Sequence, residues 1–144
     1  MRVRMSYVAS GVVLAGALVF AACKDSTSSD ACGSGTAPVV VGTYKLASYT
    51  LGTSTIDTLQ GATGQLRFHA STYGFNVTIP IQGTITDSGT YSTSGSRCMS
   101  EVSVQNPGTT TGTFSLSGTT PGSIFTFAGT NTAVGALGFI AVKQ

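Results

Sequence analysis

Tryptophan is absent, histidine occurs once, and Asp, Glu, Lys and Arg together make up only 8% of the 144 residues. An ordinary globular protein is about a quarter charged. So low a figure excludes a coiled coil, whose flanking positions need charge, and a charged disordered chain. It also argues against any site that must gather several ionisable groups. Proline is scarce at 4, and cysteine occurs 3 times. Polarity comes instead from 23 Thr and 18 Ser, with 19 Gly beside them. Thr favours strands, and Gly favours the turns that join them. The length allows one domain.

Charge is concentrated where the chain begins. Arg2 and Arg4 precede an uncharged apolar run, Val12 to Phe20, which ends in Ala21, Ala22 and Cys23. A basic start, a short apolar stretch and small residues at a cleavage point define an export signal. The stretch is too short to span a bilayer, which takes about 20 residues. Phe20-Ala21-Ala22-Cys23 resembles the lipobox of bacterial lipoprotein precursors, with Phe20 where Leu is usual. The resemblance implies cleavage before Cys23, diacylglycerol on its thiol and a third acyl chain on the new amine. Several chains anchor stably, each buried methylene contributing about 0.8 kcal/mol. Lys24 follows the cysteine, where the family's inner-membrane retention signal has Asp, so the resemblance implies an outer-membrane address.

Residues 1–22 are therefore read as signal, 23–37 as acylated Cys23 plus a flexible Ser- and Gly-rich tether, and 38–144 as the folded domain. Strands dominate that domain. Tyr73, Phe75, Val77, Ile79 and Ile81 alternate with smaller or polar residues, which puts five large side chains on one face. Pro80 cannot donate to a ladder and predicts an edge or a bulge. Tyr44 and Leu46, Leu66 and Phe68, Val102 and Val104, Phe114 and Leu116, and Phe125 and Phe127 alternate in the same way. Lys45, Arg67, His69 and Glu101 then fall on the opposite, wet face. Leu137 to Val142 is apolar on both faces, which predicts cover on both sides. About seven to nine short antiparallel strands result, and a sheet of that size closes into a barrel or splits into a sandwich. A transmembrane barrel fits poorly, because the strands are short and charge sits where lipid would be.

Four short motifs carry a second resemblance. They are Gly42-Thr43-Tyr44 with Leu46, then Leu66-Arg67-Phe68, then Ser88-Gly89-Thr90-Tyr91-Ser92 with Gly95, then Phe125-Thr126-Phe127. In order and spacing they resemble small bacterial lipocalin-like lipoproteins, with Tyr44 where that family has Trp. The resemblance implies an all-β, antiparallel, up-and-down β-barrel over roughly residues 39–143, with a β-sandwich as the alternative. It also implies an interior able to hold one small apolar ligand. The inward residues would be Tyr44, Leu46, Leu66, Phe68, Tyr73, Phe75, Val77, Ile79, Phe114 and Phe125. They either line a cup or pack solid.

Catalytic chemistry finds little support. His69 reads as a solvated strand residue beside Arg67, with no orienting partner. Asp25 and Asp30 fall in the tether. Asp57 and Asp87 read as turn residues that bond their own backbone, and Glu101 stands alone on a strand. No spacing suits zinc, calcium, a phosphate loop or a dinucleotide, so the sequence predicts no enzyme, cofactor or metal. If Cys23 is lipidated, Cys32 and Cys98 remain, an even number in an oxidising compartment. They would pair with each other, remain free or link two molecules.

From Cys23 onward five basic and five acidic residues cancel, so the formal charge of +2 belongs to the signal. Nothing favours nucleic acid. Two functions stay open: a membrane-anchored barrel that binds a small apolar molecule in the cell envelope, and a solid β domain that contacts an envelope protein or polymer.

Overall fold

The computed structural model describes residues 31–105 and 107–144. The signal, Cys23 and positions 24–30 of the tether lie outside the described residues. Nine strands follow in order: β1 (Gly42–Leu51), β2 (Ser54–Asp57), β3 (Thr63–Phe68), β4 (Thr72–Ile79), β5 (Gly83–Ser94), β6 (Cys98–Ser103), β7 (Thr109–Leu116), β8 (Ile124–Asn131) and β9 (Gly135–Lys143). From β3 to β9 each strand pairs antiparallel with its successor; β1 pairs with β3 and also closes onto β9. The sheet is thus a closed eight-stranded barrel with one extra strand, β2. Closure excludes the sandwich and is consistent with the lipocalin-like fold that the motifs imply.

The extra strand leaves one place where the wall is incomplete. The first half of β1 pairs with β3, Lys45 facing Gln65; its second half pairs with β2, Ser48 facing Asp57. Strands β2 and β3 therefore lie end to end along one edge of β1. Between them the chain makes a single 3-10 turn, Thr58–Gln60, capped by Asp57, whose carboxylate accepts from the Gln60 N–H at 2.9 Å. Strand β4 pairs with β3 only as far as Thr78, opposite Thr63. Beyond that point a gap separates β2 from the end of β4.

Alternation puts one face of every strand inside. On β1 a bulge between Leu46 and Ser48 shifts the phase, so Tyr44, Leu46 and Tyr49 are all buried. Gly112 and Gly129 face each other across β7 and β8. A Cβ on Gly112 would lie 2.3 Å from the Ala128 carbonyl oxygen, so only glycine permits so close an approach.

The two ends of the barrel differ. At the end where β1 begins, Tyr44, Phe68, Phe114 and Phe125 stack edge to face or tilted, with ring centroids 5.2 to 6.2 Å apart. The segment before β1 crosses this end. Buried Val40 lies beneath it, and its carbonyl accepts from the Tyr44 hydroxyl at 2.7 Å. Contacts begin before Pro38, where the sequence places the start of the domain. The Cys32 carbonyl accepts from the Ser96 and Arg97 N–H groups, the Ala31 carbonyl accepts from Arg97 Nε, and Cys32 is disulfide-bonded to Cys98 with Cα atoms 4.9 Å apart. Residues 31–37 are thus fastened to the β5–β6 turn.

Four sequence expectations are corrected. Ile81 does not share the inward face of β4: the strand stops at Ile79 because Pro80 has no N–H to donate, and Ile81 sits fully exposed in the turn at φ +70°. The Ser88–Ser92 motif, which the lipocalin-like resemblance implies is a turn leading into a strand, lies wholly within β5 and contains no turn. The outer face of β9 is open, with Ile140 43% exposed, because nothing packs over it. Strand β6 is in the opposite phase to the one read from Val102 and Val104: both valines are exposed, while Met99 and Glu101 are buried.

Candidate functional site

The reversed phase of β6 changes what the barrel contains. Glu101 is 4% exposed and Asp87 9%. Asp87 lies in the middle of β5, on the face shared with Ile85, Gly89 and Tyr91, so it is an interior residue and not a turn residue. Asp57, by contrast, does sit in a turn, as the cap described above. Tyr73 from β4, Asp87 from β5 and Glu101 with Ser103 from β6 converge inside the barrel.

Asp87 is well served by donors. Tyr73 Oη donates to its Oδ2 at 3.1 Å, the Ser88 N–H donates to its Oδ1 at 2.8 Å, and Ser103 Oγ donates to the same oxygen. Glu101 is not. Among the described residues no group hydrogen-bonds its carboxyl, whereas every fully occluded side-chain N or O atom has a partner. Burial, and secondarily the nearby Asp87 charge, push the Glu101 carboxyl up to about 7. Burial and the Asp87 charge also raise the Tyr49 phenol. Burial raises the Tyr73 phenol, with Glu101 and Asp87 adding to the effect.

Two hollows lie in the half of the barrel away from the aromatic plug, and Glu101 borders neither. A hollow of about 90 Å³ is lined by Tyr49, Leu51, Phe75, Asp87, Thr110 and Leu137 among others. Thr110 is the β7 residue paired with Glu101. A wider hollow of about 510 Å³ fills the gap between β2 and β4, against Tyr49, Leu51, Ile56, Ile79 and Gln82. Tyr49 and Leu51 border both, so the two hollows are neighbours across these side chains. Asn131, also on the inner rim, is committed to structure: its amide donates to Thr110 Oγ1 at 2.9 Å, and its carbonyl accepts from the Ala133 and Val134 N–H groups.

The residues expected to line a cavity all belong to one core. Tyr44, Leu46, Leu66, Phe68, Tyr73, Val77, Ile79, Phe114 and Phe125 are buried, and Phe75 is packed against them. Only Phe75 and Ile79 of the ten border the two hollows. The alternation of large side chains does not select Tyr49, Leu51, Asp87, Glu101, Thr110 or Leu137. Tyr49 and Leu51 escape it because the bulge is invisible in the pattern. Asp87 could have been found, since Ile85 and Tyr91 bracket it at even spacing.

The remaining candidates lie elsewhere. His69 is exposed in the turn after β3, its N–H donating to the Thr72 carbonyl at 2.8 Å and its carbonyl accepting from the Tyr91 hydroxyl. Lys45 and Arg67 are exposed on the outer face. Among the described residues no three of His, Cys, Asp and Glu gather as a metal site. No helix of the described residues is long and apolar enough to cross a membrane. No family model, no curated protein and no solved structure matches the chain.

Proposed function

We propose that the chain is a lipid-anchored protein of the bacterial cell envelope that acts by binding a small ligand in the open half of its barrel, without turnover. The observation that carries the reading is the asymmetry of the interior. One end is plugged by Tyr44, Phe68, Phe114 and Phe125, while the other keeps an inner hollow and, beside it, a wider one open at the β2–β4 gap. A solid structural domain has no need of such an opening, and ligand sites are concave, mostly apolar and punctuated by a few polar groups.

The anchor supports the same orientation. Acyl chains on Cys23 would hold the plugged end near the bilayer, because the chain joins the barrel there at Ala31. The seven intervening residues reach at most about 25 Å. The mouth then faces away from the membrane, toward solutes of the envelope. The sequence features around Cys23 support an outer-membrane location. Intact mass of the membrane-extracted protein checks the anchor: the reading requires a chain that starts at Cys23 and carries three acyl chains.

Ligand entry is tested with hexan-1-ol added to the protein in lipid nanodiscs, read by methyl NMR. Leu51, Ile85 and Leu137 border the hollows and should shift in a saturable way. Leu66 and Val77, deep in the packed core, should not. Val134→Trp, at the half-exposed rim of the inner hollow, should weaken the effect at least about fivefold by filling that hollow. Unmoved Leu51 and Leu137 methyls would sink the reading.

A further inference from the structure

We propose that the plugged end of the barrel is a lipid-contact face that docks on anionic phospholipid headgroups. Val39, Val41 and Ile124 enter the headgroup layer, and the cations around them meet the phosphates. The inference rests on the anchored reading above and adds a second, non-covalent hold on the membrane.

The apolar part follows from how the chain crosses this end. Val40 is buried against the plug, while its neighbours Val39 and Val41 are 67% and 43% exposed. Ile124, the first residue of β8, is bared at the same end. Burial of three such side chains in the acyl boundary is the usual apolar contribution to interfacial binding.

The charged residues are sorted along the barrel. All four Lys and Arg among the described residues lie in the plugged half. Arg97 stands in the β5–β6 turn, its Nε donating to the Ala31 carbonyl at 2.8 Å. Lys143 ends β9, and its Nζ donates to the Val41 carbonyl at 3.1 Å. Arg67 faces Thr43 near the start of β1, and Lys45 follows two residues on. The carboxyl side chains lie elsewhere: Asp57 faces Ser48 in the far half of β1, and Asp87 and Glu101 are inside the barrel. The tether adds Lys24, Asp25 and Asp30, which leaves the side-chain charge of this end positive. The far end also bares apolar residues, Ile81 and Val134, but it carries none of these cations. Valines ringed by cations suit a headgroup layer, where anionic phosphate lies over the acyl boundary.

The tether names the occupant. Positions 24–30 separate Cys23 from Ala31, a reach of at most about 25 Å. The face therefore stays at high local concentration over the bilayer, and weak contacts are enough to seat it. Docking would hold the barrel upright, with the β2–β4 gap turned away from the lipid.

The test is methyl NMR of the full chain in nanodiscs whose headgroups carry a spin label. One set contains phosphatidylglycerol with phosphatidylcholine, the other phosphatidylcholine alone. With the anionic lipid, the Val39, Val41 and Ile124 methyls should broaden strongly, and those of Ile81 and Val134 should not. Each cation near an anionic surface favours contact about fivefold. Without the anionic lipid the contrast between the two ends should fall at least about twofold. Val39→Glu should lower it as far in the anionic nanodiscs. If that variant fails to fold, Arg67→Glu on the exposed outer wall repeats the test. A contrast that ignores the lipid, as a face reserved for a protein or a second copy would give, overturns the inference and leaves the anchor in place. A folded variant that matches the parent does the same. A chain whose intact mass shows no acyl groups overturns both.

Discussion

Between pH 5 and pH 8 the unliganded protein should lose about 2 to 3 kcal/mol of stability, and Glu101→Gln should abolish that loss. Glu101 has an ordinary value of 4.5 and is raised to about 7 in the fold. A raised carboxyl means that the folded state holds its proton after the unfolded chain has released it. The stabilisation is complete below the unfolded value and disappears as pH rises through the folded one. A gap of one pH unit between the folded and unfolded values corresponds to about 1.4 kcal/mol, and a group only 4% exposed is little screened by solvent. The physical cause is the burial of a charge beside the Asp87 carboxyl, with no cation to neutralise it. Glutamine keeps the shape and never ionises, so the variant should match the parent at pH 5 and exceed it at pH 8. Urea unfolding at the two pH values reads the effect directly. A parent whose stability is flat from pH 5 to pH 8 would mean that Glu101 is not inside the barrel.

Reduction of Cys32–Cys98 should lower stability by about 2 to 4 kcal/mol. The bond joins residues 66 apart in sequence. A loop of that size in the unfolded chain is worth about 4 kcal/mol in the entropy model, and measured values commonly fall below it. The bond also fastens the segment that closes the plugged end, where the Cys32 and Val40 carbonyls accept from Ser96, Arg97 and Tyr44. Cys98→Ser should therefore move the denaturant midpoint down with little change in slope, and reductant should do the same to the parent but not to the variant. Equal midpoints with and without reductant would remove the bond from the account. Alkylation offers an independent check, because two thiols reacting before reduction would show that the pair is open. An intact bond would also support the proposed export of the chain, since cytosolic thiols stay reduced.

Most of the barrel was legible in the chain because alternation with large inward residues is unambiguous where it occurs. Tyr73, Phe75, Val77 and Ile79 set the phase of β4, and Phe125 and Phe127 that of β8. The motifs around Tyr44, Phe68 and Phe125 put these rings on the inside, where they pack against one another. The functional half was harder to read, for three physical reasons. A bulge after Leu46 reverses the phase of β1, so Tyr49 and Leu51 point inward against the count. Strand β6 wears its valines outside, so hydrophobicity points the wrong way and hides Glu101. Asp87 sits among Thr, Ser and Gly, a composition that resembles a turn although the segment is twelve residues of continuous strand. In the last two cases a carboxylic acid faces inward, so the rule that apolar residues mark the inside fails there.

Glu101 is the one glutamate in the sequence, so its carboxyl carbon can be followed by NMR as a single signal after glutamate labelling. The central claim is that the phase of β6 puts this acid inside the barrel, beside Asp87. Titrating the full chain in nanodiscs should give a midpoint near 7 for the free protein. A midpoint near 4.5 would contradict the account.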